Sequence, residues 1–295
     1  EVLDKTMLAV RAAAGICHYQ PFNEDKGTGL LRHCLLRRGV MTGQVMVVLV
    51  TAQPVLPGAR NFVKALLTEA GKQGVAITTI VQNVNDRKTS VVLGDMEKVL
   101  YGKGFILDEL CGKTYALSPR SFYQINHTQT EVLYGLAVDA AHLTGKEVVL
   151  DAYCGIGTIS LFLAQKAKQV YGVEIVPPAI ADAKDNARRN GIQNAEFYVG
   201  KAEEILPHKY ETENVKADVI VVDPPRKGCD EALLETIVKM QPERVVYVSC
   251  DSATLARDLK YLTANGYKAE RLATVDMFPM TVHVESAVKL VRENQ

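Results

Sequence analysis

The sequence has no net charge: 34 Lys and Arg stand against 34 Asp and Glu in 295 residues, which argues against a small basic nucleic-acid binder. It has no apolar run near the roughly 18 residues a bilayer-spanning helix needs, so no membrane partner is expected. It has no Cys-x-x-Cys pair. Cys17, Cys34, Cys111, Cys154, Cys229 and Cys250 are scattered, so neither zinc nor an iron–sulfur cluster is expected. A chain of this size needs no disulfides, which fits a reducing, cytoplasmic setting. The opening EVLDKTMLAVRAAAG carries acids and lacks the apolar stretch and small-residue site of a signal peptide. It also lacks an initiator Met, so a trimmed piece of a longer protein is expected. Repeats and low-complexity tracts are missing too.

What is present is ordinary globular material, 47% apolar and 23% charged, long enough for two domains or one large α/β domain with an addition. Its rhythm changes near residue 120. Residues 1–120 hold 15 basic and 10 acidic side chains, an excess of five positive charges, and residues 121–295 hold 19 and 24, an excess of five negative. The neutral total hides a basic front part and an acidic rear part.

In 1–120 the pattern predicts a mixed α+β subdomain. LLRHCLLRRG and VMVVLVT read as a hairpin, ARNFVKALLTEAGKQG as a helix ending at glycine, VAITTIVQNV as a β-branched strand and FILDELCGKTYAL as a strand pair. Arg32, His33, Arg37 and Arg38 cluster in the first hairpin; they either face phosphates or form a solvated face.

From 121 on, strands alternate with helices. A helix is predicted over 128–143, then EVVLD, a glycine loop and a helix through Ala167, then QVYGVE and a helix opened by Pro177 and Pro178 and closed by Gly191. AEFYVG, ADVIVVD and RVVYVSC follow as strands. A helix striped with Leu255, Leu259 and Leu262 comes next, and two strands near 268–276 and 284–291 have no helix between them. This is an α/β fold with a seven-stranded, mostly parallel sheet, whose ligands sit at the carboxyl ends of the strands.

Three features gather at those ends. In DAYCGIGTIS, Asp151, Gly155 and Gly157 form a strand-to-helix turn, and Glu174 ends the next strand. Such a turn either passes close to an adenosine-containing cofactor, with the acid on the ribose, or is a tight turn without a ligand. Ser160 stands where a dinucleotide loop has its third glycine, and Asp151 suits a cationic sulfonium better than a pyrophosphate. Both favour S-adenosyl-L-methionine. Tyr153 lies over that cofactor or is plain wall. Asp223-Pro224-Pro225-Arg226, Ser249-Cys250 and His283-Val284-Glu285 complete the set. Singly each is unremarkable; their convergence is informative.

SFYQINHTQTEVLY, DAYCGIGT, DPPRKG, VSCDSATLARD and VDMFPMTVHVE, from about Phe122 to Glu285, together resemble the motifs of the bacterial RNA (uracil-5-)-methyltransferases, and the 23S ribosomal RNA branch more than the transfer RNA branch. The resemblance implies a Rossmann-like S-adenosylmethionine-dependent methyltransferase fold and methylation of carbon-5 of uridine in RNA. Cys250 would be the nucleophile and Glu285 the base that removes the carbon-5 proton. Tyr153, Gly155 and Glu174 would bind S-adenosyl-L-methionine. Gln124 would contact cofactor and uracil with Phe122 beside it, and Asp223 would lie between the two. Arg226 and His283 would support the site. A monomer without metal is expected, lacking the upstream RNA-binding barrel of the family.

The chemistry asks for this set. Uracil carbon-5 is a poor nucleophile until a thiolate adds at carbon-6, and a free thiol is only about 3% ionised at pH 7, so the site must activate it. One departure bears on that. Asp251-Ser252 replaces the family's Asn-Pro after the cysteine; either residue can cap a helix, but an ionised Asp251 would oppose the thiolate. The alternatives are uracil-5 methylation of transfer RNA and RNA cytosine-5 methylation. The latter family has a second cysteine where Arg226 stands. An amino-group methyltransferase would want an aromatic there. A nicotinamide enzyme has no need of Cys250 with Glu285, and a non-catalytic RNA module leaves the loop unexplained. A uridine in paired RNA would have to be flipped out to be reached.

Overall fold

Spaced at three and four residues, Thr6, Ala9, Val10 and Ala13 are the buried face of helix α1 (Val2–Ile16) in the computed structural model, which describes residues 1–213 and 215–293. The sequence pattern did not single this helix out. β1 (Leu31–Arg38) and β2 (Val45–Thr51) form the expected antiparallel hairpin. Helix α2 (Ala59–Lys72) buries Phe62, Leu66 and Ala70 and connects β2 to its parallel neighbour β3 (Thr79–Val84). An exposed edge strand, β4 (Met96–Tyr101), completes a mixed sheet of order β1-β2-β3-β4. β5 (Ile106–Leu110) and β6 (Lys113–Leu117) are joined by Cys111 and Gly112, both at positive φ, 50° and 69°, as a two-residue hairpin turn demands.

Contacts divide the chain into one unit of Glu1–Glu109 with Ala116–Arg120 and another of Leu110–Tyr115 with Ser121–Gln295. In the first, the basic hairpin is not a free charged face. The Arg32 side chain is 2% exposed. It forks onto Glu24, donates to the carbonyls of Asn85 and Arg87, and lies 5.1 Å over the Phe22 ring. Arg37 is half-buried, and only His33 and Arg38 of the four are exposed.

In the second unit Asn126 caps α3 (His127–Ala141), its Oδ1 accepting from Gln129 N. Then follow β7 (Val148–Asp151), α4 (Thr158–Leu163), β8 (Gln169–Glu174), α5 (Pro177–Arg189), β9 (Ala195–Val199), α6 (Ala202–Glu213), β10 (Val219–Val222), α7 (Glu231–Met240), β11 (Arg244–Ser249), α8 (Ser252–Ala264), β12 (Tyr267–Val275) and β13 (Glu285–Arg292). α4 stops before Ala167 because Lys166 N–H closes a tighter turn onto the Leu163 carbonyl. Ile180, Ala183 and Ala187 are the buried face of α5, as their spacing predicts.

The sheet order is β12-β13-β11-β10-β7-β8-β9. VIVV of β10 is buried on both faces, the reading of a central strand covered by helices on either side. All neighbours are parallel except those of β13, which runs antiparallel to both β11 and β12. Without a crossover helix after β12, the chain can only return antiparallel. Strand order reverses between β7 and β10, the switch point where a crevice opens beyond the carboxyl ends.

Candidate active site

A cavity of about 890 Å³ occupies that switch point, and Phe122, Gln124, Tyr153, Gly155, Glu174, Asp223, Cys250 and Glu285 all line it, with Arg226. Tyr134 and Phe278 also line it, and neither stood out in the sequence.

One half of the cavity is made by the glycine loop. Ala152 N–H donates to Val221 O and Cys154 N–H to Val173 O, so the loop leaves β7 tied to the neighbouring strands. Gly157 has φ +84°, and a Cβ there would stand 3.3 Å from Ala183 Cβ and Phe197 Cζ. The turn needs glycine both for its φ and for its closeness to α5 and β9. Asp151 is fully buried, does not line the cavity, and accepts a 2.5 Å hydrogen bond from Ser160 Oγ. The serine that replaces a third glycine thus serves Asp151. Burial raises the Asp151 carboxyl to about 6, against the lowering hydrogen bonds of the Ser160 hydroxyl and of the Tyr153 and Ser160 backbone. The acid that β8 brings to the cavity wall is Glu174, whose Oε1 accepts from Val176 N–H at 3.0 Å. Tyr153 is wall on one side, and its hydroxyl reaches the Cys229 thiol inside the core.

The other half is set by strand register. Ser249 on β11 pairs with Ser286 on β13, and Val275 on β12 with Glu285. Cys250 directly follows Ser249 and Glu285 directly precedes Ser286, so the two flank that last pair, and both line the cavity. Cys250 is half-buried and Glu285 buried. The thiol is raised first by burial and then by the charges of Glu285 and Asp223, with Arg226 opposing. Asp251, directly after Cys250, is the N-cap residue of α8. Its Oδ1 accepts from Ala253 N at 3.0 Å and Thr254 N at 2.9 Å, capping α8, and these bonds lower its pKa. Burial raises Glu285, offset by Arg226. Burial raises Asp223 to about 7, with Glu285 and Asp151 adding to it. Arg226 Nη2 lies 3.4 Å from His283 Nε2.

Two loops at the mouth are fixed to each other by residues the sequence reading passed over. Asn126 Nδ2 donates to Met277 O at 3.1 Å, which joins the segment carrying Phe122 and Gln124 to the one carrying Phe278. An Asn directly before a helical pattern is a readable cap signal; its second bond is not. Among the described residues no group of three or more His, Cys, Asp or Glu is placed to hold a metal ion, and no helix is long and apolar enough to cross a membrane.

The model of the tRNA (uracil-5-)-methyltransferase family matches residues 94–293. An uncharacterized RNA methyltransferase of Halalkalibacterium halodurans is 53% identical over 291 residues, covering 99% of this chain and 62% of that protein. One of Listeria monocytogenes is 54% identical over 271 residues, covering 92% and 58%. The chain thus spans less than two thirds of the length of these relatives. Among solved structures, the tRNA (uracil-54, C5)-methyltransferase of Pyrococcus abyssi in complex with S-adenosyl-L-homocysteine matches with a TM-score of 0.81 at 31% identity, over 97% of this chain and 66% of that one. The tRNA m1G37 methyltransferase of M. jannaschii matches with a TM-score of 0.55 at 15% identity, over 92% and 75%, a likeness of fold alone. The fold is the Rossmann-like one of S-adenosylmethionine-dependent methyltransferases.

Proposed function

The chain belongs to the tRNA (uracil-5-)-methyltransferase family, and from that premise we propose that it methylates carbon-5 of a uridine in RNA, with Cys250 as nucleophile and Glu285 as base. The observation that carries the reading is that Cys250 and Glu285 directly flank the Ser249–Ser286 pair of β11 and β13 and line one cavity. S-adenosyl-L-methionine fits the other half. Glu174 is held at the wall for a ribose diol, the glycine turn admits a close backbone approach, and the acids Glu174, Asp223 and Glu285 suit a cation. When bound, it supplies an electrophilic methyl on a sulfonium.

The residues then have these tasks. Cys250, ionised, adds to carbon-6 of the uracil, and the carbon-5–carbon-6 π electrons move to an enolate. Once carbon-5 carries the methyl, Glu285 takes the proton left there. The electron pair of that C–H bond reforms the double bond and expels the Cys250 thiolate. Arg226 offsets the two acids that oppose the thiolate. Gln124 and Phe122 hold the uracil, and Asp223 stands between uracil and cofactor. The first unit, with its basic excess, contacts the RNA.

We take ribosomal RNA as the substrate, on the likeness of the five motifs to the 23S branch. Transfer RNA is the second reading, favoured by the 31% identity to a transfer RNA uracil-54 enzyme across 97% of the chain. Mapping 5-methyluridine in both RNA classes from cells lacking the protein decides. Loss from ribosomal RNA alone supports the first reading, loss from transfer RNA the second, and loss from neither overturns both.

A further inference from the structure

The loop that carries Asp223 and Arg226 rests on the first two turns of α8. Thr254 Oγ1 donates to Arg226 O at 3.1 Å, and Arg257 Nη2 donates to Lys227 O at 3.0 Å and Cys229 O at 3.1 Å. Cys229 N–H donates to Asp258 Oδ2 at 2.8 Å. Gly228 lies so close that a Cβ would stand 2.5 Å from Arg257 Nη2 and 2.7 Å from Asp258 Oδ2, at φ +78°.

Asp258 is fully buried. Besides Cys229 N–H it accepts from Tyr247 OH at 2.6 Å and from Arg257 Nε at 2.7 Å. Tyr247 lies on β11 three residues before Cys250, and α8 begins two residues after it. A single carboxylate therefore ties together the strand that leads into Cys250, the helix that follows, and the loop from the neighbouring strand. Neither Arg257 nor Asp258 lines the cavity. A buried charge costs free energy unless every oxygen is paired, and this one is paired to groups on all three elements.

We propose that Asp258 and Arg257 are positioning residues that lock the Asp223–Cys229 loop to the Cys250 end of β11 and so fix the Arg226 guanidinium relative to Cys250 and Glu285. This rests on reading Cys250 as the nucleophile. Three charged groups bear on that thiol, Glu285 from β13 and Asp223 and Arg226 from the loop; Asp251 beside it is turned to the cap of α8, and His283 touches Arg226. The locking bonds fall on residues 226–229, whereas Asp223 directly follows β10 and is held by it. Releasing the lock moves Arg226 and leaves the two acids, which makes the thiol harder to ionise.

The test is the pH dependence of Cys250 alkylation by iodoacetamide in the full chain, read on the Cys250 peptide by mass spectrometry, for the parent, Asp258→Asn and Arg257→Met. Both variants should move the alkylation midpoint to higher pH and lower kcat by about tenfold or more, with the cofactor Kd changed no more than about twofold. The Arg257 side chain is 56% exposed, so Arg257→Met should fold even where Asp258→Asn does not. An unchanged midpoint in Arg257→Met overturns the proposal, and a lowered melting temperature with that unchanged midpoint assigns the pair a purely structural role. A raised midpoint in a protein that methylates no uridine would instead leave the positioning role standing and remove the proposed function.

Discussion

Cys250 and Glu285 come to the same end of the sheet because β13 runs antiparallel: Ser249 pairs with Ser286, and Cys250 follows the one while Glu285 precedes the other. In a parallel arrangement both strands would present their carboxyl ends at the cavity, and the first residue of β13 would lie at the opposite edge. The reversal of the last strand is what brings a strand-starting glutamate to the cavity that also holds the cysteine just after β11.

Cys250→Ala should remove the nucleophile without touching the glycine loop. The expected result is a loss of methyl transfer of at least about 1,000-fold with cofactor affinity nearly unchanged, measured by single-turnover transfer and by calorimetry. Turnover near the parent's rate would remove Cys250 from the chemistry.

Glu174→Ala acts on the other half. A charge-assisted hydrogen bond contributes about 1.5–3 kcal/mol, so cofactor affinity should fall roughly tenfold to a hundredfold. RNA affinity should hold. Equal loss of both would show that the change reaches beyond the ribose site.

The acids give a pH signature. Asp223 is raised to about 7 from 3.8, so ionising it in the folded protein is unfavourable. Its cost to stability is nil below about pH 4, grows as pH rises from there to about 7, and is constant above that. A cationic cofactor favours the ionised form. Cofactor affinity should therefore climb with pH up to about 7 and then level, with proton release on binding near pH 6. Asp223→Asn should flatten the climb and raise the melting temperature more at pH 8 than at pH 5. Calorimetry in two buffers of different ionisation enthalpy measures the proton count, and affinity independent of pH in the parent would contradict the assignment.

Arg32 reads in the sequence as either an RNA contact or part of a solvated face, and in the structure it is an internal tie. Arg32→Ala leaves two carbonyls without their donor and removes the fork onto Glu24. It should destabilise the first unit by about 2–3 kcal/mol, with the salt dependence of RNA binding unchanged below the melting temperature. Arg38→Ala should do the reverse, keeping stability within about 0.5 kcal/mol and lowering the salt slope by about one.

The strands of the second unit and its helices α3, α4, α5 and α8 were legible because their periodicity is strong, whereas α6 and α7 were read only as a helix or loop. β10 reads as VIVV, α8 as a leucine stripe, and α5 begins with two prolines. α1 and β4 were not, since neither carries a clean alternation: α1 has exposed Leu3, Met7 and Leu8, and β4 is a mostly exposed edge. The site residues were legible as types at strand ends. Their partners were not, because a hydrogen bond from Ser160 to Asp151, from Asn126 to Met277 or from Arg257 to the loop carbonyls joins residues whose proximity only packing decides.

The most direct test of the account is the Glu285→Gln protein incubated with unmodified ribosomal RNA and S-adenosyl-L-methionine, followed by nuclease and protease digestion and mass spectrometry of the Cys250 peptide. With carbon-5 methylated and its proton retained, the adduct should persist, so that peptide should carry a methylated uridine nucleotide. An unmodified Cys250 peptide, with 5-methyluridine released at the parent's rate, would contradict it.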